Sequence, residues 1–190
     1  MMLRIFLGAF LMADPQIVCT LGLETTPYNA YSDQRPTPDA LELAGKVNQA
    51  LVSSCRPNCP TIAMFRNTTA PNAILLKSPG QAKFVYKPEF FTAVYESSGD
   101  AGILAMIAHE VGHAIDGASP TSWIKREWSP ELRADAWAGC ALGRMNLSAR
   151  ALQAGLSTLA KYPSPSHPNW ETRLPVIQTG YTQCGGDKKL

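Results

Sequence analysis

Histidine is scarce in this sequence of 190 residues: there are three, and two of them stand four positions apart. Charge is scarce as well. Only 17% of residues are charged, and 17 basic against 15 acidic side chains leave a net charge of +2. No run of Lys and Arg occurs except Lys188 and Lys189 at the tail, so there is no electrostatic footprint for a nucleic acid. After the first residues no apolar run reaches the roughly 18 needed to cross a bilayer, and no transmembrane span is expected in the mature chain. Repeats and low-complexity tracts are absent. With 45% hydrophobic residues the chain is not a disordered one, and its length suits a single domain, placed at residues 36–184.

The N-terminus is different in kind. Met1 to Ala13 carries one early arginine and then about nine apolar residues, the layout of a signal peptide, so residues 1–20 are read as a leader. Export is the expectation; the alternatives are a cytoplasmic protein and an N-terminal apolar strand or helix packed on the domain. Five cysteines fit the exported reading: Cys55 with Cys59 across a short turn, Cys140 with Cys184 at the tail, and Cys19 left over. The rival for Cys55 and Cys59 is a zinc site, although no second cysteine pair accompanies them.

The pattern along the domain is mixed. Thr37-Pro38-Asp39 starts a helix that continues through Leu41, Ala44, Val47 and Leu51. Short strand-like runs follow at Thr61–Phe65, Ala73–Leu76 and Lys83–Tyr86, separated by turn signals. Helical spacing returns at Pro88–Tyr95. A second helix starts at Ser98 or Asp100 and ends at Gly117, and others are read from Ser129-Pro130, from Ser148 to Lys161, and up to about Gly180. This is an α+β chain, mainly helical, with a sheet of three short strands.

Two of the three histidines lie on the apolar helix, in His109-Glu110-Val111-Gly112-His113. Residues four apart share a helix face, so both imidazoles can reach one zinc ion, with one zinc expected per chain. Glu110 stands beside the first ligand, where it can act as general base on the metal's water. A third ligand is needed. The histidine of the metzincin pattern is missing, since Asp116 and Ser119 occupy the required positions. Glu131 at the start of the next helix is the best candidate, with Asp116 and Glu127 weaker ones. Asp135, one turn beyond Glu131, can accept the spare N–H of a ligand imidazole.

HEVGH followed by ELRAD, with Glu131 eighteen residues after His113, resembles the gluzincin pattern. More narrowly the chain resembles the family of the CAAX prenyl proteases, the HtpX-type proteases and their small soluble minigluzincin relatives. Pro71-Asn72-Ala73 is similar to that family's P-N-A element, and His167-Pro168 with Arg173 to its late H-P-x-x-x-x-R. The resemblance runs from about Thr37 to Ile177. It implies a zincin-like fold with the sheet over the active-site helix, and a zinc endopeptidase acting on peptides or unfolded protein. It places substrate at Asn72 and Ala73, along an edge strand at Asn72–Lys77 or Lys83–Tyr86. It also implies His167 as donor to the oxyanion, braced by Arg173 through Glu171 or Asp135. Family members with membrane helices act in membranes, which does not carry over, and nothing in the sequence fixes an oligomeric state. Two other readings compete: a metal protein kept inert by its Met1–Arg35 segment or its Trp123/Trp128 loop, and an interaction module with no metal.

Overall fold

The structure, a computed structural model, describes residues 16–21, 27–118, 121–163, 165–187 and 190. Among them are five α-helices and one mixed sheet of four strands. Strand β1 spans Gln16–Leu21, β2 Thr61–Arg66, β3 Ala73–Ser78 and β4 Gln81–Tyr86. The helices are α1 Pro38–Cys55, α2 Pro88–Ile115, α3 Pro130–Arg144, α4 Ala149–Lys161 and α5 Trp170–Gln183.

The helix starts are where capping chemistry puts them. Thr37, Ser129, Ser148 and Asn169 each accept a backbone N–H of the first turn through the side chain, and Pro38 and Pro130 follow two of these caps. Gly99, with φ of 61°, interrupts α2, so the two helices read from the sequence lie end to end as one broken element. The second half, Ala101–Ile115, is buried on all sides. As a whole, α2 contacts the sheet, α1, α3 and α4. That all-round burial is why its sequence is apolar around the motif.

Close helix contacts bring the partners of the motif in. At Gly112, inside HEVGH, α3 comes so near that a Cβ would stand 2.8 Å from the Ala134 carbonyl oxygen. Further along, Gly139 of α3 and Gly180 of α5 leave the two backbones in direct contact, where any side chain at either would overlap a carbonyl group. Only glycine permits such an approach.

The sheet order is β1-β3-β4-β2, with β2 parallel to β4 and the other pairs antiparallel. This corrects the three-stranded expectation. The added strand comes from the segment read as a leader, whose boundary at residue 20 falls inside β1; residues 1–15 lie outside the described residues. The physical reason is the open edge of β3, whose backbone groups β1 pairs. It also changes the two strands expected to meet substrate. β4 is interior, and Ala73 of β3 is paired with Leu21 on one side and Tyr86 on the other. Asn72 has a left-handed φ of 45° and accepts the Lys87 N–H at 2.6 Å, closing the junction of β3 with α2.

Disulfides join Cys55 to Cys59 and Cys140 to Cys184, the second tying α3 to the end of α5, and Cys19 is free. Such bonds are consistent with an exported protein. No described helix is long and apolar enough to cross a membrane. Thiol titration of the unfolded, unreduced chain is expected to find one thiol. Finding three or more would show that these bonds do not form in the purified protein.

Candidate metal centre

His109 and His113 sit on the same face of α2 and point their Nε2 atoms at one spot, 3.2 Å apart. Glu131, at the first turn of α3, brings Oε2 to 3.2 Å from His109 Nε2 and 3.1 Å from His113 Nε2. Three donors about 2.0–2.1 Å from a tetrahedral zinc would stand roughly 3.3 Å from one another, so the triangle has the size that such an ion requires. The donor set also suits zinc: two imidazoles and a carboxylate. With Cys19 Sγ, the group can hold a metal ion, its four ligand atoms lying within 4.8 Å of one another.

A second layer holds the ligands still. Asp135, one turn along α3 from Glu131, places Oδ1 3.0 Å from His109 Nδ1. Arg173 of α5 donates to Asp135 through Nε and Nη2, both at 2.8 Å, and through Nη1 to the Leu159 carbonyl at 3.0 Å. Asp135 and Arg173 are both buried. Of the two partners read for Arg173, Asp135 is therefore the one it takes, and the chain of contacts Arg173–Asp135–His109 fixes which nitrogen of His109 faces the centre. Burial opposes ionisation of Asp135, but the Arg173 guanidinium and His109 outweigh it and hold the carboxyl below its usual range. Burial also opposes a charge on His109, yet its bonds to Asp135 and Glu131 raise it to about 9. Protons therefore compete with a metal for this ring.

Glu131 is held at both oxygens. Ser166 donates its hydroxyl to Oε1 at 2.6 Å, and His167 Nε2 lies 2.9 Å from Oε2. Burial resists its ionisation, but three imidazoles keep it well below the normal carboxylate range. The loop before α5 thus reaches the centre, as read for His167, but as a partner of Glu131. Burial lowers the His167 pKa. Ser166 was not singled out in the sequence; its position next to His167 was the only signal.

The other expected ligands lie elsewhere. Asp116 accepts Arg133 Nε at 2.8 Å, and Glu127 is exposed. Trp123 packs edge-on against Trp137 at 5.1 Å between ring centres, as part of the core.

Glu110 is the odd member. It is fully buried, and among the described residues neither carboxylate oxygen has a partner at hydrogen-bonding distance and angle; the Cys19 thiol is near enough only for a weak contact. Burial pushes its pKa up, and His109, His113 and Cys19 are near enough to offset part of the rise. A buried carboxylate left without a partner is costly, which is reason to look for a chemical use. The chain matches no family model, no curated protein and no solved structure.

Proposed function

We propose that this chain is a zinc-dependent endopeptidase, a zincin-like gluzincin of the small soluble kind, exported and acting on peptides or unfolded protein. The observation that carries the reading is the convergence of His109, His113 and Glu131 beside the unpartnered carboxylate of Glu110. A purely structural zinc site has no use for that carboxylate, whereas peptide hydrolysis has one.

Zinc held by the three ligands would supply Lewis acidity and a water acidified towards a pKa of about 7. Glu110, beside the two imidazoles, would hold and move the proton, taking it from the attacking nucleophile and returning it to the leaving amine. Asp135 and Arg173 keep His109 oriented throughout. The His167 side chain is buried beside the centre, 2.9 Å from Glu131 Oε2, and its Nε2 would have to turn from that oxygen to donate to the one that becomes negative.

Metal analysis tests the reading first. One zinc per chain is expected, lost in His109→Ala, His113→Ala and Glu131→Ala; a Glu131→Ala chain with full zinc would overturn the ligand set. His167→Ala is expected to keep its zinc and fold, while casein turnover drops about 10²–10³-fold. Turnover equal to that of the parent chain would make His167 a support of Glu131 and nothing more.

A further inference from the structure

The proposed site is closed. His109 and Glu110 are 0% exposed, His113 3% and Glu131 4%. A peptidase must show its metal to a substrate backbone, so whatever covers these groups stands where that backbone belongs. The cover is β1. It runs antiparallel to β3, with Cys19 opposite Leu75. Adding an extended peptide to an exposed strand is the usual way a sheet edge captures a substrate backbone.

The strand is shaped to aim a thiol inward. Residues two apart on a regular strand face the same side. Ile17 and Cys19 do not: Ile17 is 56% exposed and Cys19 2%. The register shifts between them, Ile17 pairing with Leu76 and Cys19 with the adjacent Leu75, so Val18 is an inserted residue. Such a bulge re-aims a side chain. The result is that Cys19 Sγ lies 3.9 Å from His109 Nε2, 4.0 Å from Glu131 Oε2 and 4.0 Å from His167 Nε2. A sulfur 2.3 Å from a tetrahedral zinc would stand roughly 3.6 Å from the other donors. Cys19 Sγ is close to that distance from His109 and Glu131 but up to 4.8 Å from His113, so it has to close on the His113 side to complete a fourth bond.

Resting on the peptidase reading above, we propose that β1 is a built-in pseudo-substrate strand and that the Cys19 thiolate is the fourth ligand of the catalytic zinc. On binding, the thiol gives up its proton to solvent and the sulfur occupies the coordination position that water needs. The chain is then latent. Withdrawal of β1 frees the metal's fourth position and the β3 edge at the same time, and the edge around Leu75 becomes the place where an extended peptide pairs. Because the other four cysteines are tied up in disulfides, Cys19 is the one thiol that can act in this way.

The test is a cobalt-substituted full-length chain. With one Co²⁺ per chain, the wild type is expected to show a thiolate-to-cobalt charge-transfer band in the near ultraviolet, absent from Cys19→Ser. One bound cobalt without that band in the wild type overturns the fourth-ligand assignment, and this needs no variant to fold. Casein hydrolysis by the zinc forms is then compared, and Cys19→Ser is expected to be at least about tenfold faster than wild type. A wild type as fast as the variant overturns latency while the peptidase reading stands. A sulfur band with neither chain cleaving overturns both latency and the peptidase reading, and the site is a closed structural one.

Discussion

Casein turnover by Glu110→Gln is expected to fall about 10²–10⁴-fold, the contribution typical of a positioned general base. Zinc should remain at one per chain, because the Glu110 carboxylate is not among the converging ligand atoms. The substitution keeps shape and volume and removes only the ability to take a proton. It also replaces a buried carboxyl whose ionisation burial opposes with a neutral amide. The thermal midpoint should therefore not drop, and a rise is the physically favoured direction. The variant should be made in the wild-type chain and in Cys19→Ser, so that loss of turnover is read against an open site. Unchanged hydrolysis in the Cys19→Ser background would remove Glu110 from the mechanism. A lowered midpoint with lost zinc would make it a structural group instead.

The second large effect is expected at Asp135. It accepts two N–H donors from Arg173 and faces His109 Nδ1, and all three residues are buried. Asp135→Ala leaves the guanidinium buried without its carboxylate, a change that usually costs about 3–5 kcal/mol. It also frees the His109 ring to turn, for which a loss of about 10–100-fold in zinc affinity is expected. The two effects are separable. Denaturant unfolding of the metal-free chain reads the first, and competition with a chromophoric chelator reads the second. Replacing Arg173 with Met in the same chain removes the stranded charge and should restore part of the stability but not the affinity. If Asp135→Ala unfolds at the same denaturant concentration as the parent, the pair is not stabilising and Asp135 acts on the ring alone.

Much of the local structure could be read from residue types. The capped starts at Thr37, Ser129 and Ser148 became helix starts, since a side-chain acceptor followed by proline or apolar spacing acts within one turn. The three expected strands formed close to the expected positions, and Cys55–Cys59 and Cys140–Cys184 paired as read. The candidate site was legible where spacing within a helix fixes geometry. His109 with His113, and Glu131 with Asp135, lie one helical turn apart, so the sequence alone puts each pair on one face.

Other features were set only by chain segments meeting in space. Nothing local says that α5 lies against α3 closely enough for Arg173 to grip Asp135 rather than Glu171; the backbone contact at Gly139 and Gly180 decides it. The position of Ser166 against Glu131, 35 residues apart, depends on the same packing. Strand β1 is the clearest case. Its residues read as the end of a leader or as an apolar element packed on the domain, because an apolar N-terminus carries the same pattern whether it is cleaved or paired. An edge strand is specified largely by the open edge it joins. That edge belongs to β3, more than fifty residues away, so the place of Cys19 beside the two histidines could come only from the tertiary structure.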